Sequence, residues 1–109
     1  ISIDEDVCFI GHSHIMEYFE LKKGSVIIRQ LPLRNKQEVS LEEDKRYIIN
    51  TGSVGQPRDG DPRSACVIYD TSEKRLTAHR VPYKIDIVQK KMQLKGLPQI
   101  LWERLGVGR

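Results

Sequence analysis

The sequence predicts an α+β domain, rich in strands and closed by helices at its C-terminal end. Three observations predict it. Short apolar or alternating runs recur between residues 7 and 81, separated by glycine-, proline- and aspartate-bearing breaks. Apolar residues at helical spacing follow Pro82. The 109 residues are enough for one domain with a core of modest size.

Residues 1–6 read as a short acidic lead-in. Val7 to Ile10 is an unbroken apolar run, which predicts a strand covered on both faces. Gly11 then lets the backbone leave the strand, and His12-Ser13-His14 follows. If this stretch stays extended, His12 and His14 project to one side with Cα atoms roughly 6.5 Å apart. That spacing suits ligands of one metal ion, or of two ions about 3.5–4 Å apart. The same pattern also occurs as solvated or hydrogen-bonded histidines.

Ile15 to Leu21 alternates and predicts a second strand. Lys22-Lys23-Gly24-Ser25 is the break of a hairpin, from which Ser25 to Leu31 returns. Pro32 to Lys45 is polar and charged, with Leu41 as its anchor, and predicts an excursion around a sheet edge. Arg46 to Asn50 is another strand, centred on Tyr47-Ile48-Ile49. A long loop punctuated by glycine and proline runs from Thr51 to Arg63. Ser64 to Tyr69 and Arg75 to Val81 are further strands joined through Asp70 to Lys74. Asp86 is positioned to cap a helix through Lys95, with Ile85, Val88 and Met92 on one side and Gly96 as its stop. Pro98 opens a second short helix ending at Gly106, with Trp102 covering its apolar face.

The net charge of +3 is local: from Lys84 onward six basic residues face two acidic ones, the composition of a solvated helical face. A basic and aromatic platform for nucleic acid is missing, and no apolar stretch is long enough to span a bilayer. Cys8 and Cys66 lie in apolar runs and make no disulfide framework, so a reducing, cytoplasmic location is expected.

Gly11-His12-Ser13-His14 resembles the closing G-H-x-H motif of the calcineurin-like metallophosphoesterases. Residues Asn50 to Arg63 (NTGSVGQPRDGDPR) resemble the N-P-G-S-V-G-Q-P-R-D-G-D-P-R loop of a prokaryotic, phosphodiesterase-type branch of that family. The likeness continues through Arg80-Val81-Pro82-Tyr83 and covers nearly the whole chain; Thr51 stands where the family usually has proline. It implies that residues 1–109 are the C-terminal half of a four-layer α/β/β/α sandwich. The family's earlier motifs, D-x-H, G-D-x-x-D and G-N-H-D/E, are absent from these residues. It further implies hydrolysis of a phosphomonoester or phosphodiester, of which a nucleotide is a candidate. Two divalent ions (Mn, Fe or Zn) would form the binuclear centre, with His12 on one and His14 on the other.

Ser13 is assigned no catalysis, and His79 lacks a partner at ligand spacing. Asn50, Ser53 and Arg58 are the candidates for contact with substrate or for support behind the ligands. Arg58 or Arg63 could grip a phosphate; alternatively, with Asp59 and Asp61, both tie the loop beside the histidine turn. A calcium loop at Asp59 and Asp61 would lack a full ligand set. Without the other half, the chain is expected to be inactive and to expose an apolar face, which calls for a missing segment, a companion chain or a homo-oligomer. The rival reading is a scaffold or regulatory subunit that keeps the fold and not the chemistry.

Overall fold

A computed structural model describes residues 6–109; of the acidic lead-in, all but Asp6 lies outside the described residues. Among the described residues, seven strands and two helices follow one another: β1 (Val7–Ile10), β2 (Met16–Lys22), β3 (Ile28–Pro32), β4 (Glu38–Ser40), β5 (Lys45–Thr51), β6 (Ser64–Asp70), β7 (Arg75–Val81), α1 (Ile85–Leu94) and α2 (Gln99–Val107). The class is α+β, as the sequence predicts.

The strands form two sheets, ordered β1-β5-β2-β3 and β4-β7-β6. Within the first, β1 runs parallel to β5 with Ile10 beside Asn50, and β2 lies antiparallel on the other side of β5 with Glu17 opposite the same Asn50. That register brings the end of β1, the start of β2 and the end of β5 to one corner. The segment from Gly11 to Ile15 has to turn there.

The core lies between the two sheets. Met16, Tyr18, Tyr47 and Ile49 from the first meet Ala65, Leu76 and Ala78 from the second, with Leu33 and Leu41 from the connecting segment. Alternation explains the selection: β2 and β7 each bury every second residue, the pattern of a strand with one face inward. Burying a side chain such as Ile49 or Leu76, both fully enclosed, contributes about 1.5–3 kcal/mol each.

Several expectations need correction. β1 is not covered on both faces: Phe9 is 43% and Ile10 36% exposed. It is an edge strand with β5 as its pairing partner among the described residues. β6 is likewise an edge of its sheet, with Ile68 61% exposed. The Phe9 and Tyr69 rings meet at a tilt of 54° with centroids 5.7 Å apart, so β1 and β6 bound the same side of the sandwich. An apolar strand paired in parallel, yet at an edge, has the composition of an interior strand.

The hairpin return starts at Ile28 and not at Ser25. The Ser25 hydroxyl accepts the Ile27 N–H at 3.1 Å, taking that donor from the ladder and leaving Val26 and Ile27 exposed. The polar excursion contains a strand, β4, formed by pairing with β7, and Leu41 is its buried anchor as expected. α1 begins one residue before Asp86, with Lys84 at the cap position and no side-chain cap bond. Asp86 sits inside the first turn, where its charge favours the helix dipole instead. Gly96 ends the helix with φ 73° and its N–H on Gln93 O, as predicted. Pro98 occupies the position before α2, and that helix runs through Val107 to a left-handed Gly108. Gly108 lies against the Asp61 backbone and accepts the Gly60 N–H at 2.8 Å, which ties α2 to the long loop. Trp102 is half-buried, and its carbonyl accepts from Gln89, joining α1 to α2. Among the described residues no helix is long and apolar enough to cross a membrane.

Candidate metal-ligating turn

Strand β1 stops at Ile10, and the next residues do not stay extended. The His14 N–H reaches back to Gly11 O at 3.4 Å, closing a reverse turn through His12 and Ser13. His14 carries the left-handed backbone of that turn, with φ 60°, where Gly11 was expected to supply it. The i, i+2 geometry read from an extended chain is therefore replaced by a turn. A non-glycine residue in this region is strained by about 1–3 kcal/mol and persists where its surroundings fix it.

They do fix it, from the loop between β5 and β6. The His14 carbonyl accepts the Arg58 N–H at 3.0 Å. The His14 ring meets Gln56 O through Nδ1 at 2.8 Å. A carbonyl only accepts, so Nδ1 carries the proton and the lone pair of the neutral ring lies on Nε2. This is the arrangement by which metal-binding histidines are oriented. Two residues on, the Met16 N–H donates to Asp59 Oδ2 at 3.1 Å. His14 is half-buried, whereas His12, at the tip of the turn, is exposed.

Asn50, 2% exposed, secures the turn from β5. Its Nδ2 donates to Ser13 Oγ at 2.6 Å, and its Oδ1 accepts the Gly52 N–H at 3.0 Å. Gly52 has φ 77° and is packed so that an added Cβ would stand 2.8 Å from Ala65 Cβ and 3.3 Å from Met16 Cβ. Ser53 caps the following bend, accepting the Gln56 N–H at 2.9 Å. The Arg58 side chain is exposed and bonded to Gln56 Oε1 at 2.7 Å. Asn50 and Ser53 thus hold backbone and Ser13, while Arg58 has guanidinium surface open to solvent.

The aspartates are tied by arginines. Arg63 forks onto Asp61 at 3.0 and 2.7 Å, and this bond is the main reason the Asp61 carboxyl titrates below its usual value, against the opposing effect of burial. Arg80, whose side chain is 4% exposed, bonds Asp59 Oδ2 and the Arg63 carbonyl, the latter at 3.1 Å. This is the structural tie that the loop's composition suggested for the aspartates. Two contributors escaped the sequence. Gln56 acts through its main-chain carbonyl, which no residue pattern reveals. Arg80 falls in step with Leu76 and Ala78 on the inner face of β7; an arginine in that register was the available signal. His79 is half-buried and faces Cys66 across the β6–β7 ladder, away from the turn.

Among the described residues no group of three or more His, Cys, Asp or Glu side chains gathers to hold a metal ion. Neutral imidazole suits Mn²⁺, Fe²⁺ and Zn²⁺, so the donor set fits a share of a metal centre and falls short of a whole one.

No family model matches the chain. It is 38% identical over 104 residues to an uncharacterized protein of Methanocaldococcus jannaschii, a match covering 95% of this chain and 40% of that protein. A metallophosphoesterase from Sphaerobacter thermophilus, known from a crystal structure, superposes with a TM-score of 0.87 at 37% identity, covering 98% of this chain and 44% of that one. The chain thus spans less than half the length of each.

Proposed function

We propose, for a chain that shares its fold over nearly its whole length with part of a metallophosphoesterase, that it contributes the His12–His14 side of a binuclear phosphoesterase site. One observation carries the reading: the His14 ring is held at 2.8 Å by Gln56 O in the tautomer that leaves Nε2 as its metal-binding atom. His12 and His14 would hold a share of two divalent ions, Mn, Fe or Zn, which when bound would supply Lewis acidity and nucleophile activation.

The chain's own residues position and bind. Asn50 fixes the turn through Ser13, Gln56 fixes the His14 tautomer, and the Arg58 guanidinium offers donors to a phosphate oxygen at the surface. The substrate is a small phosphate ester, a diester or monoester, with nucleotides as candidates. The remaining ligands come from polypeptide outside these residues, in the same chain or a companion. That polypeptide meets the unpaired side bounded by β1 and β6, where Phe9 and Ile68 are exposed. A homo-oligomer is part of the same reading, as is a cytoplasmic setting that keeps Cys8 and Cys66 as the free thiols they are here.

The test is hydrolysis of bis-p-nitrophenyl phosphate by the full-length protein with Mn²⁺, in wild type and His14→Ala. The expected loss in the variant is about 100-fold or more. Equal turnover rejects the assignment. Absence of turnover and of metal binding in the wild type leaves the scaffold reading.

A further inference from the structure

We propose that Arg80 is a positioning residue, one that acts from β7 on the imidazole of His14 through Asp59. The inference rests on the reading that His14 holds a cation and names what sets the quality of that ligand.

The geometry is a chain of single links. The buried Arg80 guanidinium bonds Asp59 Oδ2 and, at 3.1 Å, the Arg63 carbonyl, and its Nε stands 3.7 Å from Asp61 Oδ2. Its own backbone N–H is held by Asn35 Oδ1 at 2.8 Å, so the strand end that carries it is fixed in turn. Asp59 accepts from Arg80 and from the Met16 N–H on the same oxygen. Moving the guanidinium therefore moves the acceptor of a donor two residues from His14. Asp59 also follows Arg58, whose N–H holds the His14 carbonyl, and the Gln56 carbonyl on Nδ1 belongs to the same segment. These three contacts on residues 14–16 thus come from a stretch whose far end Arg80 clamps. His14 has a left-handed backbone at φ 60°, so a loosened clamp gives the ring a relaxed alternative. Lysine cannot replace the fork, because one ammonium cannot span Asp59 and the Arg63 carbonyl with the same planar geometry.

The test uses the full-length protein, Mn²⁺ as the probe, and Arg80→Lys, Asp59→Asn and His14→Ala. Mn²⁺ binding is measured by calorimetry, and the His14 tautomer is read by ¹⁵N–¹H NMR without metal. Arg80→Lys and Asp59→Asn are expected to weaken Mn²⁺ binding about 10- to 100-fold and to replace the fixed Nδ1–H ring with an exchanging mixture. A lowered unfolding midpoint with wild-type affinity and a wild-type tautomer overturns the proposal, since a merely structural arginine moves only the first. If Arg80→Lys does not fold, Asp59→Asn, isosteric and still able to accept the Met16 N–H, decides alone. If His14→Ala binds Mn²⁺ as the wild type does, the metal reading itself fails, and the tautomer still reports on Arg80.

Discussion

Gly52→Ala probes the packing that brings the loop to the histidine turn. Gly52 is buried and left-handed at φ 77°, a conformation that costs an L-residue about 1–2 kcal/mol. The new methyl would stand 2.8 Å from Ala65 Cβ and 3.3 Å from Met16 Cβ, one on each sheet. Neither crowded atom is the flexible end of a side chain: both are Cβ atoms fixed to strand backbone, and the Ala65 N–H is bonded to Ser53 O at 3.0 Å. Overpacking of this kind costs about 1–3 kcal/mol. The alanine recovers about 0.4–1 kcal/mol by restricting the unfolded chain. The net expectation is a destabilisation of about 1–5 kcal/mol, a large part of the ~5–15 kcal/mol that holds a typical domain folded. Urea unfolding of the full-length protein measures it, as a lower midpoint at unchanged slope. A change below about 1 kcal/mol would refute the argument, because the methyl would then have found room that the structure denies it.

Other outcomes follow from the same contacts. Asn50→Ala removes the acceptor of the Gly52 N–H and the donor to Ser13, and should cost about 1–3 kcal/mol by urea unfolding. Leu76→Ala, which empties a fully buried site between the sheets, should cost about 2–5 kcal/mol in the same assay. Asp61 has its carboxyl held below the usual value chiefly by Arg63. Its contribution is therefore present at neutral pH and is lost as pH falls below about 4 toward the depressed folded value. Acid titration of stability should be flatter over that window in Asp61→Asn. Burial raises the Tyr18 and Tyr47 hydroxyls above their usual value near 10. Their contribution is complete below that value and is lost as pH climbs above it, so Tyr47→Phe should blunt the alkaline fall in stability.

Most of the fold was legible where side-chain pattern decides it. The runs at Val7–Ile10, Lys45–Thr51 and Ser64–Asp70 and the stop at Gly96 emerge close to where periodicity and glycine put them. Strand β4 was not legible because Glu38-Val39-Ser40 is polar and becomes a strand through its partner β7. The apolar composition of β1 reads as that of an interior strand, yet β1 lies at a sheet edge with Phe9 and Ile10 exposed, because composition does not fix a strand's place in its sheet. At the site, the two histidines were visible and their geometry was not. The bend at His14 is set by Gln56 and Arg58, more than forty residues along the chain, and both contacts use main-chain atoms of the loop. Asp59 could be seen as a loop tie beside Arg58 and Arg63; that its partner is Arg80, on the atom that also holds Met16, is a property of the folded chain.

The most direct measurement is a crystal structure of the full-length protein grown with Mn²⁺, with the ions placed by anomalous scattering. The account predicts His14 Nε2 and a ring nitrogen of His12 at coordination distance from the ions, with the Gln56 carbonyl still on His14 Nδ1. Ions seated elsewhere, or both imidazoles turned away from them, would contradict it.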